Sequence, residues 1–168
     1  LKSRELHIPL DKESPEPHKI LSEIQRLENE GYQFEAAEAS FELLVHRLTG
    51  RSKQFFEVKA VAVRVENIGD GAPTSVAEVK IVAKGKEHFE VASGDGPVNA
   101  LDKALRKALE QLFPCIRQVH LEDYKVRVLS SSDGTAARVR VLIESSDGRE
   151  VWGTVGVSEN IIEASWIA

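Results

Sequence analysis

Residues 76–82 read VAEVKIV and residues 136–142 read AARVRVL. In both, small or branched apolar residues alternate with charged ones, as in a strand with one buried and one wet face. The surroundings match as well. Val61, Val63 and Val65 alternate before the first stretch and stop at the turn-rich Gly69-Asp70-Gly71. Val119, Leu121, Tyr124, Val126 and Val128 precede the second and stop at Ser131-Ser132-Asp133-Gly134. A tight turn follows each: Lys84-Gly85 leads to a strand bearing Phe89 and Val91, and Asp147-Gly148 to one from Val151 to Val157.

Each triplet of strands then runs into a helix. After Gly94-Asp95-Gly96-Pro97, residues Val98, Leu101, Leu105, Ala108, Leu109 and Leu112 form a strong amphipathic stripe. Each large side chain buried there contributes roughly 1.5–3 kcal/mol, which makes this helix a core element. After the second triplet, Ser158 is a suitable N-cap for a helix carrying Ile161, Ile162 and Trp166. Element order therefore predicts an α+β fold containing an internal duplication, two βββα units at 54–115 and 116–168. The last helix breaks off at Ala168 before a usual length, so the reading expects it to be truncated.

Residues 1–53 have a different period. Residues 1–14 read as extended and polar, and Ser14-Pro15 as a helix start. Ile20, Leu21, Ile24 and Leu27 recur at helical spacing up to Gly31, and Phe34, Ala37, Phe41, Leu44, Val45 and Leu48 do so up to Gly50. A helical hairpin with one apolar face is expected, acting as a linker segment. Its cover is expected to lie outside this sequence.

Composition bounds the function classes. The chain has 168 residues, 42% hydrophobic and 29% charged, with net charge −5. That balance is ordinary for a globular protein and gives no basic field for nucleic acid. No run approaches the roughly 20 apolar residues of a membrane helix. The lone Cys115 cannot form an internal disulfide; it reads as a small packed hydrophobe in a cytoplasmic protein. A chain without methionine that begins at Leu1 is expected to start inside a longer one.

The five histidines are scattered, none at metal-ligand spacing, and no nucleophile elbow or phosphate loop occurs. No catalytic residue, metal ligand or cofactor is assigned to this segment. Three stretches invite a ligand. Gly94 and Gly96 permit close backbone approach, and the helix that follows offers N–H groups to a carboxylate; the same residues also read as a plain turn capped by Asp95. Asp123 is disfavoured inside a strand. It could hold an ammonium beside the ring of Tyr124, or simply mark a bulge or wet edge. The glycines of Trp152-Gly153-Thr154-Val155-Gly156-Val157 mark close approach, most simply for packing. Arg138 and Arg140 are expected to be solvated.

Taken together, GDGPVNALDKAL, LEDYKVRVLSSSDGTAARVRV and VWGTVGVSENIIEAS, in this order over residues 55–168, resemble the C-terminal regulatory domain shared by 2-isopropylmalate synthases and citramalate synthases. LENEGYQFEAAEASFELL resembles the helical segment that precedes this domain in citramalate synthases. The resemblance implies a homodimer of paired βββα units whose effector site lies near the dimer interface. It implies a branched-chain amino acid as the effector, isoleucine for the citramalate branch and leucine for the other. The effector residues it implies are Gly94, Asp95, Gly96, Val98, Asn99, Asp123, Tyr124 and Val126, with Ala136 a weaker member. Full-length relatives condense acetyl-CoA with a 2-oxo acid on a metal-dependent barrel. None of that barrel's motifs is present here, so catalysis and its divalent metal are expected in another part of the parent chain. A dimerisation module without an effector, and an enzyme in its own right, are the competing readings.

Overall fold

The computed structural model describes residues 16–67, 70–129, 134 and 136–168. The proposed extended segment 1–14, the helix start at Ser14-Pro15 and most of the Ser131–Gly134 turn lie outside these residues. The described elements are α1 (Glu16–Asn29), α2 (Glu38–Leu48), β1 (Glu57–Glu66), β2 (Thr74–Ala83), β3 (Lys86–Gly94), α3 (Pro97–Glu110), a 3-10 turn (Pro114–Gln118), β4 (His120–Val128), β5 (Val139–Ser146), β6 (Val151–Ser158) and α4 (Ile161–Ile167). The expected α+β class holds, with two three-stranded sheets ordered β1-β2-β3 and β4-β5-β6.

The chain divides into two compact units. One spans residues 53–120; the other gathers the described residues up to 52 with 121–168.

In the first unit, β2 pairs antiparallel with β1 and β3. Its inward residues Ser75, Ala77, Val79, Ile81 and Ala83 are all buried. The register places Ala92 beside Ala77 and His88 beside Ile81 on the same face. Helix α3 packs there against β2 and β3. Ala100, Ala104 and Ala108 recur every fourth residue on its buried face with Leu101 and Leu109, so the helix can approach closely. Lys107 Nζ donates to the Val91 carbonyl at 2.9 Å and Lys84 Nζ to the Leu112 carbonyl at 3.1 Å, fixing both sides of the helix. Lys84 (φ 51°) and Gly85 (φ 75°) supply the paired left-handed conformations that a two-residue hairpin needs. Cys115 departs from expectation: it lies in the 3-10 turn after α3 and is exposed.

In the second unit, helix layers cover both faces of the β5-β6 ladder. Val141, Ile143 and Val139 pair with Gly156, Thr154 and Ser158 on one face, while Leu142 and Arg140 pair with Val155 and Val157 on the other. Helix α4 packs on β5 and β6. A Cβ at Gly156 would lie 2.0 Å from the Ala164 carbonyl oxygen, so only glycine admits α4 at this distance. On the opposite face, a Cβ at Gly153 would lie 2.1 Å from the Ala36 carbonyl oxygen. The strand glycines therefore serve packing, as the sequence suggested, one for each layer.

The cover of the helical hairpin is thus in this chain, contrary to expectation. Leu27, Phe34, Ala37 and Leu44 form one core with Val155, against which Ile24, Tyr32, Phe41, Leu48 and Leu142 pack. Ile20 and Val45 form a smaller cluster between the helices. Phe34 and Ala37, read from periodicity as helical, precede α2 in the chain, yet both are buried. For these two residues hydrophobic spacing reported burial correctly and overextended the helix, whereas Leu21, placed in the same stripe by spacing, is 54% exposed. Ser40 Oγ accepts from the Val155 N–H at 3.0 Å, satisfying a ladder-edge donor that would otherwise be buried unpaired.

Arg138 and Arg140 are not simply solvated either. Arg140 donates to the Gly31 carbonyl at 2.5 Å and to Gln33 Oε1 at 2.6 Å. Arg138 reaches the Glu30 carbonyl at 3.5 Å. Gly31 (φ 104°) ends α1 in a left-handed turn, and its carbonyl sits at the negative end of that helix. Burial, followed by the nearby Arg127 charge, lowers the Arg140 pKa, as expected of a guanidinium drawn under a helix end. The cap of α4 is Asn160, not Ser158: its Oδ1 accepts from Ile162 N at 2.8 Å and Glu163 N at 3.4 Å. Ser158 Oγ instead donates to Glu163 Oε2 at 2.5 Å and accepts from Asn160 N at 3.0 Å.

Two outcomes follow from this packing. Gly153→Ala forces a methyl into the Ala36 carbonyl and is expected to destabilise by about 1–3 kcal/mol, while Ser40→Ala leaves the Val155 N–H unpaired at about 1–3 kcal/mol. Thermal or urea melts of the purified variants measure both. The Asp147 carboxyl is held below its usual range by the backbone N–H groups of Glu150 and Arg149, each at 2.9 Å. Because the folded pKa is depressed, the stability it contributes is present above the unfolded carboxylate pKa of about 4 and is lost as pH falls through the folded value. Asp147→Asn should flatten that acid limb in melts from pH 5 to about pH 2; an unchanged limb would show that other carboxylates carry it.

Candidate functional site

The residues singled out for a ligand fall into two groups, one in each unit. In the first unit, Gly94 closes β3 and is half-buried, Asp95 is exposed, and Gly96 stands at the N-cap of α3 in extended backbone (φ −159°). Asp95 does not cap the helix, and no side chain does. Pro97 has no N–H, and the Ala100 N–H goes to the Gly96 carbonyl at 2.9 Å. The N–H groups of Val98 and Asn99 therefore form the positive end of a 14-residue helix without a side-chain cap. Asn99 folds back instead: its Oδ1 accepts the Asp95 N–H at 3.3 Å. A Cβ at Gly94 would sit 2.4 Å from Ala100 N and 2.7 Å from Asn99 Oδ1, so the turn closes only around glycine. Val98 is half-buried beside it.

In the second unit, Asp123, Tyr124 and Val126 lie on β4, an edge strand. Alternation along the strand sends Asp123 and Tyr124 to opposite faces. The Asp123 carboxylate pairs with Lys125 and accepts the Tyr124 N–H at 2.9 Å. The Lys125 hydrogen bond, foremost, holds the Asp123 carboxyl below its usual range, so Asp123 is an anion at neutral pH with its partner two residues away. Tyr124 turns toward α4: its hydroxyl lies 2.7 Å from Ser165 Oγ, and Ser165 Oγ donates to the Ile161 carbonyl at 2.6 Å. Val126 is 41% exposed, and Ala136 is exposed as well.

Sequence reading missed one cavity of the second unit. A cleft of about 530 Å³ opens where β6 meets α4, with Tyr32, Arg138, Val157, Glu159 and Glu163 in its wall. It contains none of the nine residues named above. The order of the repeat was the available signal, since the β6–α4 junction corresponds to the β3–α3 turn. Here Asn160 occupies the helix start, whereas the first unit leaves that end uncapped. Among the described residues, no three His, Cys, Asp or Glu side chains converge as a metal set, and no helix is long and apolar enough to cross a membrane.

Comparison with known proteins places this arrangement. Residues 35–168 match the LeuA allosteric (dimerisation) domain. The chain is 52% identical over 168 residues to an (R)-citramalate synthase of Aquifex aeolicus, covering 99% of this chain and 32% of the relative. It is 51% identical to an (R)-citramalate synthase of Geobacter sulfurreducens, again over 99% of this chain and 32% of the relative. A probable 2-isopropylmalate synthase of Methanopyrus kandleri is 34% identical over 92 residues, 55% of this chain and 18% of the relative. The chain thus spans about a third of the length of the citramalate synthases it matches. With paired βββα units and a family match that covers both, the chain belongs to the LeuA allosteric (dimerisation) domain family.

Proposed function

We propose that this chain is the regulatory domain of an (R)-citramalate synthase and binds isoleucine for feedback control. The observation that carries the branch is the reach of the similarity. It extends over 99% of this chain, hairpin included, for citramalate synthases, and over 55% for the 2-isopropylmalate synthase. The parent would condense acetyl-CoA with pyruvate on a separate metal-dependent barrel, and this domain would take no part in the chemistry.

The proposed effector contacts follow from charge. The uncapped start of α3, with the N–H groups of Val98 and Asn99, suits a carboxylate. Asp123 suits an ammonium, which would displace Lys125 from it. In the first unit Val98 offers branched apolar surface beside Gly94, Asp95 and Gly96; in the second, Val126 does so with Tyr124 on the face of β4 opposite to Asp123, and Ala136 is the weaker member. Self-association is supported by the apolar side chains left on the leading strands of both repeats: Val61 and Val65 on β1, Leu121, Val126 and Val128 on β4, all at least 36% exposed. Two copies covering such strands would shield surface that a monomer leaves in water. A coupling free energy of about 1–3 kcal/mol between effector and barrel is enough for feedback inhibition.

Calorimetric titration with isoleucine, leucine and valine in parallel is the test. Saturable binding with isoleucine preferred is the expected result; a leucine preference would move the chain to the other branch. Heat from none of the three, with a dimer persisting on dilution, would leave a dimerisation module. Asp123→Asn is expected to weaken isoleucine binding by about tenfold, since the neutral amide gives up the charge-assisted hydrogen bond to the ammonium. An unchanged affinity would remove Asp123 from the site.

A further inference from the structure

The cleft at the β6–α4 junction lies apart from every residue of the proposed effector set. Glu30 and Tyr32, at the turn of the helical hairpin, form one wall; Arg138, Val157, Glu159 and Glu163 form the rest. The family match begins at residue 35, so the hairpin wall lies outside it. The cleft is therefore not a feature of the shared domain alone. Its volume of about 530 Å³ falls within the roughly 300–1,000 Å³ of small-molecule sites.

Most of its polar groups are already engaged. The Glu30 carboxylate pairs with Arg26, and Glu163 Oε2 accepts from Ser158 Oγ. Asn160 Oδ1 caps α4. One cation and one anion remain weakly held. Arg138 reaches the Glu30 carbonyl at 3.5 Å and the Glu159 carboxylate at 4.0 Å, and the Arg138 and Glu159 side chains are both exposed. The Tyr32 hydroxyl has no hydrogen-bond partner among the described residues, while its ring stacks on Phe34 with centroids 6.0 Å apart. Val157, 9% exposed, supplies apolar surface beneath.

We propose that this cleft binds a free α-amino acid with an apolar side chain, at a site separate from the effector residues above. The ligand carboxylate would take Arg138, a guanidinium able to receive both oxygens at once. The ammonium would take Glu159, with the Tyr32 hydroxyl oxygen as a further acceptor, and the side chain would lie on Val157 and the Tyr32 ring. An α-amino acid carries its two charges on one carbon. That suits a guanidinium and a carboxylate that face one another at 4.0 Å without closing into a tight bridge. An exposed pair at this distance contributes little, so exchanging it for the two ends of a ligand is easy. Other small ligands fit the charges less well. A lone anion would meet Glu159 and Glu163, and a lone amine would meet Arg138. Among the described residues no three His, Cys, Asp or Glu side chains converge to hold a metal ion. The inference does not rest on placing the effector at α3 and Asp123.

The test follows the backbone amide signals of the isotopically labelled chain by NMR while isoleucine, leucine and valine are titrated separately. At least one of them should shift the Tyr32, Glu159 and Asn160 signals saturably. For isoleucine, 2-methylbutylamine lacks the carboxylate and 3-methylpentanoate lacks the ammonium, and neither should reproduce the shifts. Arg138→Gln and Glu159→Gln, each with its melting temperature checked, should raise the dissociation constant read at these signals by at least about tenfold. Any shift at Val98 and Asn99 should survive both substitutions. No saturable shift at the cleft with any of the three amino acids overturns the proposal, as does an equal response to the amine alone or an unchanged constant in Glu159→Gln. Shifts confined to Val98, Asn99 and Asp123 also overturn it and leave the effector reading standing. Shifts confined to the cleft support it and remove the effector from α3 and Asp123, so the two readings fail separately.

Discussion

The second unit depends on one close approach, the backbone of Ala36 and Ala37 lying against the hydrogen that Gly153 carries in place of a side chain. At that distance Ser40 reaches the edge of β6, Phe34 and Leu44 reach Val155, and Arg140 reaches the end of α1. A methyl at position 153 would push the hairpin outward and loosen all of them together. Gly156 does the same for α4 on the other face. Two glycines three residues apart in a strand point to opposite faces, and so a sheet of three short strands can be packed from both sides.

Charge is arranged around the same layers. The centre strands carry alternating cations and carboxylates on their outer faces, a pattern that ordinarily means contact with water. In the second unit the cations Arg138 and Arg140 answer the carbonyls at the turn after α1. Arginine suits this role because its stem crosses apolar surface while its guanidinium reaches polar atoms beyond it. The hairpin is thereby joined to the sheet by apolar burial at its middle and charge-assisted hydrogen bonds at its turn.

Much of the fold was legible in the sequence. Alternation in VAEVKIV and AARVRVL, with glycine-bearing turns after each, located six strands and the tight turns that join two pairs of them, because a half-buried strand must write its two faces into its sequence. The cover of the hairpin was not legible: pattern shows that a face is apolar and is silent on which of several apolar faces it meets. Arg138 and Arg140 were misread for the same reason, since a wet face and a face under a helix end can share one composition. At the candidate site, Gly94 and Gly96 showed in the sequence as a turn opening a helix. That Asn99 folds back on Asp95, and that Lys125 holds Asp123, depends on rotamers that spacing does not encode.

The link between Tyr124 and α4 has a directional sense. The Ile161 carbonyl can only accept, so the single proton of Ser165 Oγ is committed to it at 2.6 Å. The 2.7 Å contact between the two hydroxyls must then be made with the proton of Tyr124. With that proton spent, the phenolic oxygen presents lone pairs alone to whatever approaches it. A single backbone carbonyl in the first turn of α4 thus sets, two bonds away, the polarity of an aromatic side chain on another element: a cation or an N–H is welcome there, and a carboxylate is turned away.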